Sequence, residues 1–261
     1  MNLNLENKNA LVCGSTQGIG KAAAIQLAEE GVDVTLVARN EEKLQAVLAE
    51  LNEVSQHSQR HNYIVADFTN PTDLKEKLAA INLQFHILVN NTGGPAGGPV
   101  FNATLEEFER AFTMHLKCNH VLVQAVVPFM KEEGYGRIIN VISTSVKQPL
   151  DGLGVSNTIR GAVANWSKTL ANELGQFSIT VNNVLPGATA TERLTEIINN
   201  KAAKTGKSTE EVAEMMKNAS PAKRFAKPEE VAYAIVFLAS ERASFINGIN
   251  VPVDGGRTKS L

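Results

Sequence analysis

The chain has 261 residues, of which 43% are hydrophobic and 20% charged, with a formal net charge of −2. This length is sufficient for one large α/β domain with a substantial core. The near-neutral charge argues against nucleic-acid or membrane-surface binding, which needs a concentrated basic surface, and no apolar stretch approaches the length of a membrane span.

The segment 9–31 is the most informative part of the sequence, and it predicts a strand, a glycine turn and a helix. Gly14 suits the sharp bend after the strand because it has no Cβ. Gly18 and Gly20 let the first helical turn approach both a ligand and the strand closely. The helix N-terminus offers free N–H groups and a positive dipole end, which is typical of a pyrophosphate site.

Strands and helices alternate along the rest of the chain. Apolar runs predict strands at 32–37, 63–66, 87–89, 137–142, 179–184 and 249–251. Helices are predicted at 41–54, 155–174 and 228–238. Another helix begins at Pro71 after a capping Asn70, and a long one runs from a capping box at Thr104 to about Met130. Two more are predicted within 191–224, the second of which begins at a capping box at Ser208. This order predicts a single α/β domain over 1–261, a doubly wound Rossmann-type parallel sheet with helices on both faces. Ligands then bind beyond the carboxyl ends of the strands, near the switch point.

The end of the second predicted strand indicates which dinucleotide binds. An acidic residue there would accept a hydrogen bond from a ribose 2′-hydroxyl, whereas an arginine accommodates a 2′-phosphate. The chain has Arg39 at this point and no acid before Glu41, which favours NADP(H) over NAD(H). The alternative is a solvated loop arginine.

The loops after the later strands supply further candidate cofactor contacts. Asp67 and the backbone of Phe68 follow the third strand and are placed to meet an adenine edge. Asn91 and Gly93 follow the fourth strand, where a flat ring can lie against the backbone. Pro186-Gly187, after the sixth strand, would bring the backbone close to a nicotinamide. Each segment also has a plain interpretation as a turn.

A set of motifs spans essentially the whole chain. They are Gly14-x3-Gly18-x-Gly20, Asn90-Asn91-x-Gly93, Gly136-Arg137-Ile138-Ile139-Asn140, Val181-Asn182, Pro186-Gly187, and a tail with Pro228-Glu229-Glu230-Val231-Ala232, Phe237-Leu238-Ala239-Ser240 and Val253-Asp254-Gly255-Gly256. This set resembles the short-chain dehydrogenase/reductases, most closely the 3-oxoacyl-acyl-carrier-protein reductases. The resemblance implies a nicotinamide cofactor, a carbonyl or alcohol substrate, a cytoplasmic location, and a homotetramer or homodimer.

The resemblance also implies cofactor contacts that the residues alone do not indicate. Around the glycine turn these are Ser15, Thr16, Gln17 and Ile19. Asn91 would lie under the cofactor, and Thr189 and Thr191 would touch its nicotinamide end.

The family's four catalytic residues are an Asn, a Ser, a Tyr and a Lys, and only the Ser is matched, by Ser143. The other three positions hold His115, Ser156 and Arg160. An aliphatic hydroxyl is a far weaker acid than a phenol, and an arginine does not release its proton near neutral pH. The site is therefore atypical. We expect Ser143 and Arg160 to stabilise a developing alkoxide and a water above Ser156 to supply the proton.

Each substituted position has an alternative interpretation. Ser156 and Arg160 are four residues apart on one helix face, which is either a site or a solvated polar face. Arg160 is also placed to hold the cofactor ribose. His115 lies on the apolar stripe of its helix, where it is either a buried structural histidine or a proton source.

Two other kinds of protein remain open at this point. One is a catalytically impaired nucleotide-binding sensor or partner subunit, which the triple substitution favours. The other is a scaffolding domain with an empty cleft, which the glycine turn, Arg39 and Asn91 disfavour. The segment 191–224 predicts a lid over the substrate cleft. Cys13 and Cys118 predict buried free thiols in a reducing cytosol, and no metal site is expected.

Overall fold

The computed structural model describes residues 2–55, 58–81 and 84–260. They form a seven-stranded parallel sheet in the order β3-β2-β1-β4-β5-β6-β7, with helices on both faces. The strands are β1 (Asn9–Cys13), β2 (Asp33–Ala38), β3 (Asn62–Val65), β4 (Ile87–Asn90), β5 (Gly136–Val141), β6 (Ile179–Pro186) and β7 (Asn250–Val253). The predicted doubly wound fold is confirmed. The strand order reverses between β1 and β4, so the switch point lies at their carboxyl ends.

The helices follow the predicted alternation with small shifts at their ends. They are α1 (Gly18–Glu29), α2 (Glu41–Val54), α3 (Pro71–Ala79), α4 (Leu105–Phe112), α5 (Cys118–Glu133), α6 (Gly154–Leu174), α7 (Glu192–Thr205), α8 (Thr209–Asn218) and α9 (Pro228–Ala239). The capping boxes at Thr104 and Ser208 are present, and the Asn70 side chain caps α3. None of the described helices is long and apolar enough to cross a membrane.

Two apolar cores flank the sheet because its strands are buried on both faces. One core packs α1, α2 and α9 through residues such as Leu27, Leu44 and Ile235. The other packs α3, α5 and α6 on the opposite face, through residues such as Leu74, Leu122 and Leu174. Both layers hold the carboxyl ends of the strands in place, and the candidate site lies there.

The long helix predicted from Thr104 to about Met130 differs from the structure in one respect. A π-helical turn at Thr113–Lys117 separates α4 from α5, and α5 continues to Glu133. The turn contains His115 and adds one residue per turn, which rotates the following helix relative to α4. π-Helical turns occur frequently at functional sites, and sequence periodicity does not reveal them.

Several predicted strand ends are wrong by one or two residues. Val32, Ala66, Ile142 and Ile249 lie outside the strands to which they were assigned, and β6 extends to Pro186 rather than ending at Val184. Pro186 is therefore the last residue of a strand, and the bend begins at Gly187. These ends depend on pairing with neighbouring strands, which local sequence does not specify.

A ladder of hydrogen-bonded amides links four neighbouring strands, from β4 at the centre of the sheet to β7 at its edge. Asn90 donates to Asn140 at 2.8 Å, Asn140 donates to Asn183 at 3.1 Å, and Asn183 donates to Asn250 at 2.8 Å. Ser167 on α6 joins the ladder at 2.8 Å from both Asn140 and Asn183. The ladder fixes the relative positions of β4, β5, β6 and β7, and thereby of the loops that follow them.

Candidate active site

The glycine turn after β1 meets the loop after β4 at the switch point. The Asn91 side chain donates to the carbonyls of Cys13 at 3.3 Å and Gly14 at 3.2 Å. A Cβ at Gly14 would lie 2.2 Å from the Asn91 carbonyl oxygen, and one at Gly20 would lie 2.2 Å from the Gly14 carbonyl oxygen. Both positions therefore require glycine, and Gly14 also has a φ of 60°.

The N-terminus of α1 is open to a ligand. Gln17 occupies the N-cap position but its side chain caps no N–H, and no acidic residue lies in the first turn. A Cβ at Gly18 would lie 3.0 Å from the Thr191 side chain, so the start of α7 faces this turn. Thr16 and Ile19 flank the open backbone groups. Such an uncapped terminus suits an anionic group.

The Ser15 hydroxyl is occupied within the protein. Ser15 is fully buried, and its oxygen accepts a hydrogen bond from the Val37 N–H at 3.1 Å. Any contact between Ser15 and a cofactor would therefore be made by its backbone and not by its hydroxyl.

Arg39 is exposed and lines an open depression together with Asp67 and Arg110. Partial burial would raise the pKa of Asp67, but hydrogen bonds with Thr69, together with the two arginines, lower it overall. Asp67 is thus an anion that accepts from the Thr69 N–H at 2.8 Å. The depression carries two guanidinium groups near the end of β2.

Phe68 is buried, and its carbonyl accepts a hydrogen bond from the Cys118 thiol at 3.0 Å. Both cysteines are buried and free, as predicted. Burial raises the pKa of Cys118 to about 11 and raises the pKa of Cys13 further, so both are neutral thiols.

The loop after β6 carries the other predicted cofactor residues. A Cβ at Gly187 would lie 2.7 Å from the Asp254 Cα, so a close backbone approach requires glycine there. Thr189 is buried and donates to the Gly187 carbonyl at 3.2 Å. Thr191 caps α7 by accepting from the Leu194 N–H at 3.3 Å. Of these residues, Thr191 lies next to Gly18 of the glycine turn.

His115 points from the π-helical turn toward the loop after β4. Its Nδ1 lies 2.8 Å from the Thr92 hydroxyl, whereas its Nε2 is buried without a hydrogen-bond partner among the described residues. Burial and the nearby Arg160 lower the pKa of His115 to about 3. The imidazole is therefore neutral at physiological pH, which weighs against its serving as a cationic proton donor.

This shift predicts a pH dependence of stability. An unfolded histidine has a pKa near 6.5, so between about pH 6.5 and 3 the unfolded chain binds a proton that the folded chain does not. The free energy of unfolding therefore falls as the pH is lowered, and His115 accounts for about 2 kcal/mol of that loss at pH 5. Urea unfolding at pH 7 and pH 5 should show a smaller decrease for His115→Asn than for the unchanged protein. An equal decrease in both would contradict the assigned shift.

Ser156 and Arg160 are both buried on α6, with exposed fractions of 8% and 9%. The alternative of a solvated polar helix face is therefore wrong, because both side chains are buried and Arg160 lies against the end of β5 and the loop after β4. Arg160 Nη1 donates to the Val141 carbonyl at 3.0 Å, two residues before Ser143. Burial and then Arg193 lower the pKa of Arg160 to about 10, so it remains a cation at neutral pH.

Ser143 follows β5 and is partly exposed. Its oxygen accepts a hydrogen bond from the Ser145 N–H at 3.1 Å. The hydroxyl hydrogen is therefore left to donate toward the cleft. The structure thus brings Ser143, Arg160 and His115 to one region beside the loop after β4.

Arg193 is a residue that sequence reasoning did not place at the site. Its Nη2 donates to the Pro95 carbonyl at 2.7 Å, and its Nη1 lies 3.2 Å from Glu196. Its position two residues after Thr191 was the available signal, because the sequence already predicts that Thr191 contacts the cofactor.

Comparison with known proteins matches the chain over nearly its whole length. A family model described as Enoyl-(Acyl carrier protein) reductase matches residues 14–258. The NADPH-dependent reductase BacG of Bacillus subtilis is 29% identical, with 98% of this chain and 100% of BacG covered. Dehydrogenase/reductase SDR family member 4 of Sus scrofa is 32% identical, with 98% of this chain and 89% of that protein covered.

A solved structure shares the architecture as well. The L-sorbose reductase of Gluconobacter frateurii, crystallised with NADPH and L-sorbose, has a TM-score of 0.92 and 31% identity, with 100% of both chains covered. The similarity therefore includes the glycine turn, the loops at the switch point and the tail.

Proposed function

Because the chain belongs to the short-chain dehydrogenase/reductase family, we propose that it is an NADP(H)-dependent oxidoreductase acting on a small carbonyl or alcohol compound. The glycine turn built against Asn91, next to an uncapped α1 N-terminus, is the observation that carries this proposal. BacG is named as NADPH-dependent, and the similar L-sorbose reductase binds NADPH.

The residues at the switch point fit a dinucleotide. The backbone from Gly14 to Gly20 would hold the pyrophosphate, and Arg39 would contact the 2′-phosphate. Asp67 and the Phe68 backbone would meet the adenine. Toward the nicotinamide we assign Asn91, Gly93, Arg160, Pro186, Gly187, Thr189 and Thr191.

When bound, NADPH supplies a hydride for reduction of the carbonyl carbon. Ser143 would donate its free hydroxyl hydrogen to the carbonyl oxygen, and the Arg160 cation would stabilise negative charge developing there. Ser156 would leave space for a water that provides the proton. His115 is neutral at physiological pH, so it would orient the loop after β4 through Thr92 rather than release a proton.

Loss of a single general acid lowers a rate by about 10²–10⁴-fold without abolishing the reaction. The protein could therefore still turn over with water as the proton source, although Ser156 and Arg160 replace the family's Tyr and Lys. The same residues favour one second candidate, a nucleotide-binding sensor or partner subunit without appreciable turnover.

Two measurements separate these candidates. Calorimetric titration with NADPH tests cofactor binding, which both candidates require. Loss of NADPH absorbance with a panel of 3-oxoacyl thioesters, diketones, quinones and oxo acids tests turnover. Absence of NADPH binding would refute both candidates, and binding without turnover on any panel member would favour the sensor.

We further propose that the protein is a homotetramer or homodimer. Two separate surfaces expose large apolar side chains, which is uncommon on a monomer. One surface, around α4, contains Val100, Phe101, Leu105 and Phe112, and the other, around α9 and the edge strand β7, contains Tyr233, Phe237, Phe245 and Ile249.

Phe245 is fully exposed in the isolated chain, so its replacement should not disturb the fold. We expect Phe245→Arg to lower the mass measured by analytical ultracentrifugation by a factor of two if α9 and β7 form an interface. Lys75→Glu, at an exposed position of α3 on the other layer of the fold, is a charge-changing control. An unchanged mass for Phe245→Arg would exclude this surface.

The segment 191–224 contains α7 and α8, and we propose that it acts as a lid. Contacts of Thr191 with Gly18 and of Arg193 with Pro95 place its first turn against the cleft. We also propose a cytoplasmic location, which the two buried free thiols favour. Fractionation of the native cells with an antibody to the protein would test this location.

A further inference from the structure

Arg160 is a buried cation without an anionic partner in the described ranges. Its exposed fraction is 9%, and its one hydrogen bond to described residues goes to the Val141 carbonyl. None of the ion pairs formed by described residues includes Arg160. Buried charges in proteins are normally paired, because removal from water is costly. A neighbouring anion would therefore be expected here.

A second guanidinium lies beside the same loop. A Cβ at Gly94 would lie 3.4 Å from Arg160 Nη2, and the next residue, Pro95, accepts a hydrogen bond from Arg193 Nη2 at 2.7 Å. The two cations are close enough that Arg193 lowers the pKa of Arg160. Two like charges at neighbouring points of one loop repel each other unless an anion lies between them.

The charges near this pair indicate the kind of anion. Arg193 already has an anionic partner, because its Nη1 forms an ion pair with Glu196 at 3.2 Å. The Glu196 side chain is 63% exposed and lies on the solvent side. Arg160 has no such partner, so about one positive charge is left unbalanced toward the cleft. A ligand with one negative charge would neutralise this positive charge, whereas a doubly charged phosphate would leave an excess of negative charge.

We propose that the substrate is an oxo acid whose carboxylate lies between Arg160 and Arg193 while its carbonyl oxygen faces Ser143. This inference rests on the proposed reductase function. Guanidinium groups bind carboxylates through two parallel hydrogen bonds, which gives both affinity and orientation. The carboxylate is a binding group and takes no part in the bond changes, and Arg160 would contact both the carboxylate and the carbonyl oxygen through different N–H groups of its guanidinium. Arg193, on the segment 191–224, would couple substrate binding to the position of that segment.

Matched acids and esters test the proposal by turnover. Initial rates with NADPH should be compared for pyruvate, acetoacetate, levulinate and phenylglyoxylate and for their methyl esters. We expect kcat/KM to be at least tenfold higher for at least one acid than for its ester. Arg193→Gln should lower that acid's kcat/KM by about 10–100-fold and the ester's by a clearly smaller factor, because only the acid loses a charge-assisted contact. Arg242→Gln, which removes a charge bound to the Asn2 carbonyl elsewhere on the surface, is the matched control.

Binding without turnover separates this inference from the proposed function. The same acids and esters should be titrated into the protein saturated with NADP⁺, where no reduction can occur. Acid binding that is lost in Arg193→Gln would support the inference even if no acid is reduced. Equal binding of acids and esters, equal effects of Arg193→Gln on both, or no binding of any acid would overturn it. Stronger binding of acetylphosphonate, the phosphonate analogue of pyruvate, than of pyruvate would overturn the assignment to a carboxylate.

Discussion

Replacement of Ser143 with alanine should lower kcat by about 10²–10³-fold while leaving the Kd for NADPH within about twofold. Loss of one donor at a developing oxyanion typically has an effect of this size. The Ser143 oxygen accepts from the Ser145 N–H, so its hydrogen is available to the substrate oxygen. Because Ser156 stands at the family's tyrosine position, Ser143 is the hydroxyl that we propose as the donor to the substrate oxygen. Steady-state kinetics and a calorimetric titration measure the two quantities separately.

Ser145→Ala is the matched control for this experiment. The Ser145 hydroxyl is buried without a hydrogen-bond partner among the described residues, and alanine retains the N–H that contacts Ser143. We expect this variant to keep most of its activity. If Ser143→Ala and Ser145→Ala have the same kcat, Ser143 does not donate to the substrate.

Replacement of Arg39 with glutamine should raise the Kd for NADPH by about 10–100-fold and leave the Kd for NADH nearly unchanged. A hydrogen bond to a charged group contributes about 1.5–3 kcal/mol, and only NADPH carries the 2′-phosphate. Arg39 lies in an open depression with Arg110, so part of the attraction to phosphate remains in the variant. Titration of both cofactors into both proteins gives the comparison.

Arg60→Gln is the control, since Arg60 is an exposed arginine whose backbone N–H donates to Asp33 at the opposite end of β2. Like Arg39→Gln, the Arg60→Gln variant removes one positive charge from this side of the sheet. A parallel loss of NADPH and NADH affinity in Arg39→Gln would mean that Arg39 supports the loop. No loss of either would mean that it is a solvated residue.

The fold and the cofactor side of the site were predictable because their signals are local. A glycine turn between an apolar strand and a helix, as at Gly14 and Gly20, depends on backbone geometry within a few residues. Caps such as Asn70, Thr104 and Ser208 satisfy N–H groups three residues away, so their pattern is visible in the sequence. The resemblance to the family added the cofactor contacts that no local pattern indicates.

The catalytic side depended on residues far apart in the chain. Spacing placed Ser156 and Arg160 on one helix face but did not distinguish a solvated face from a buried one. That difference arises because the folded chain brings the end of β5 and the loop after β4 against Arg160. The π-helical turn that carries His115, and the contact between Arg193 and Pro95, likewise arise only in the folded chain.

Residue pattern alone was therefore enough for the parallel sheet, its switch point and the phosphate turn, since backbone hydrogen bonding and apolar periodicity act over short distances. Folding was needed to leave Arg160 without a carboxylate partner and to bring Arg193 to the same loop. The electrostatic environment of Arg160 is set by the residues that surround it in space, and these come from the end of β5, the loop after β4, the π-helical turn and α7.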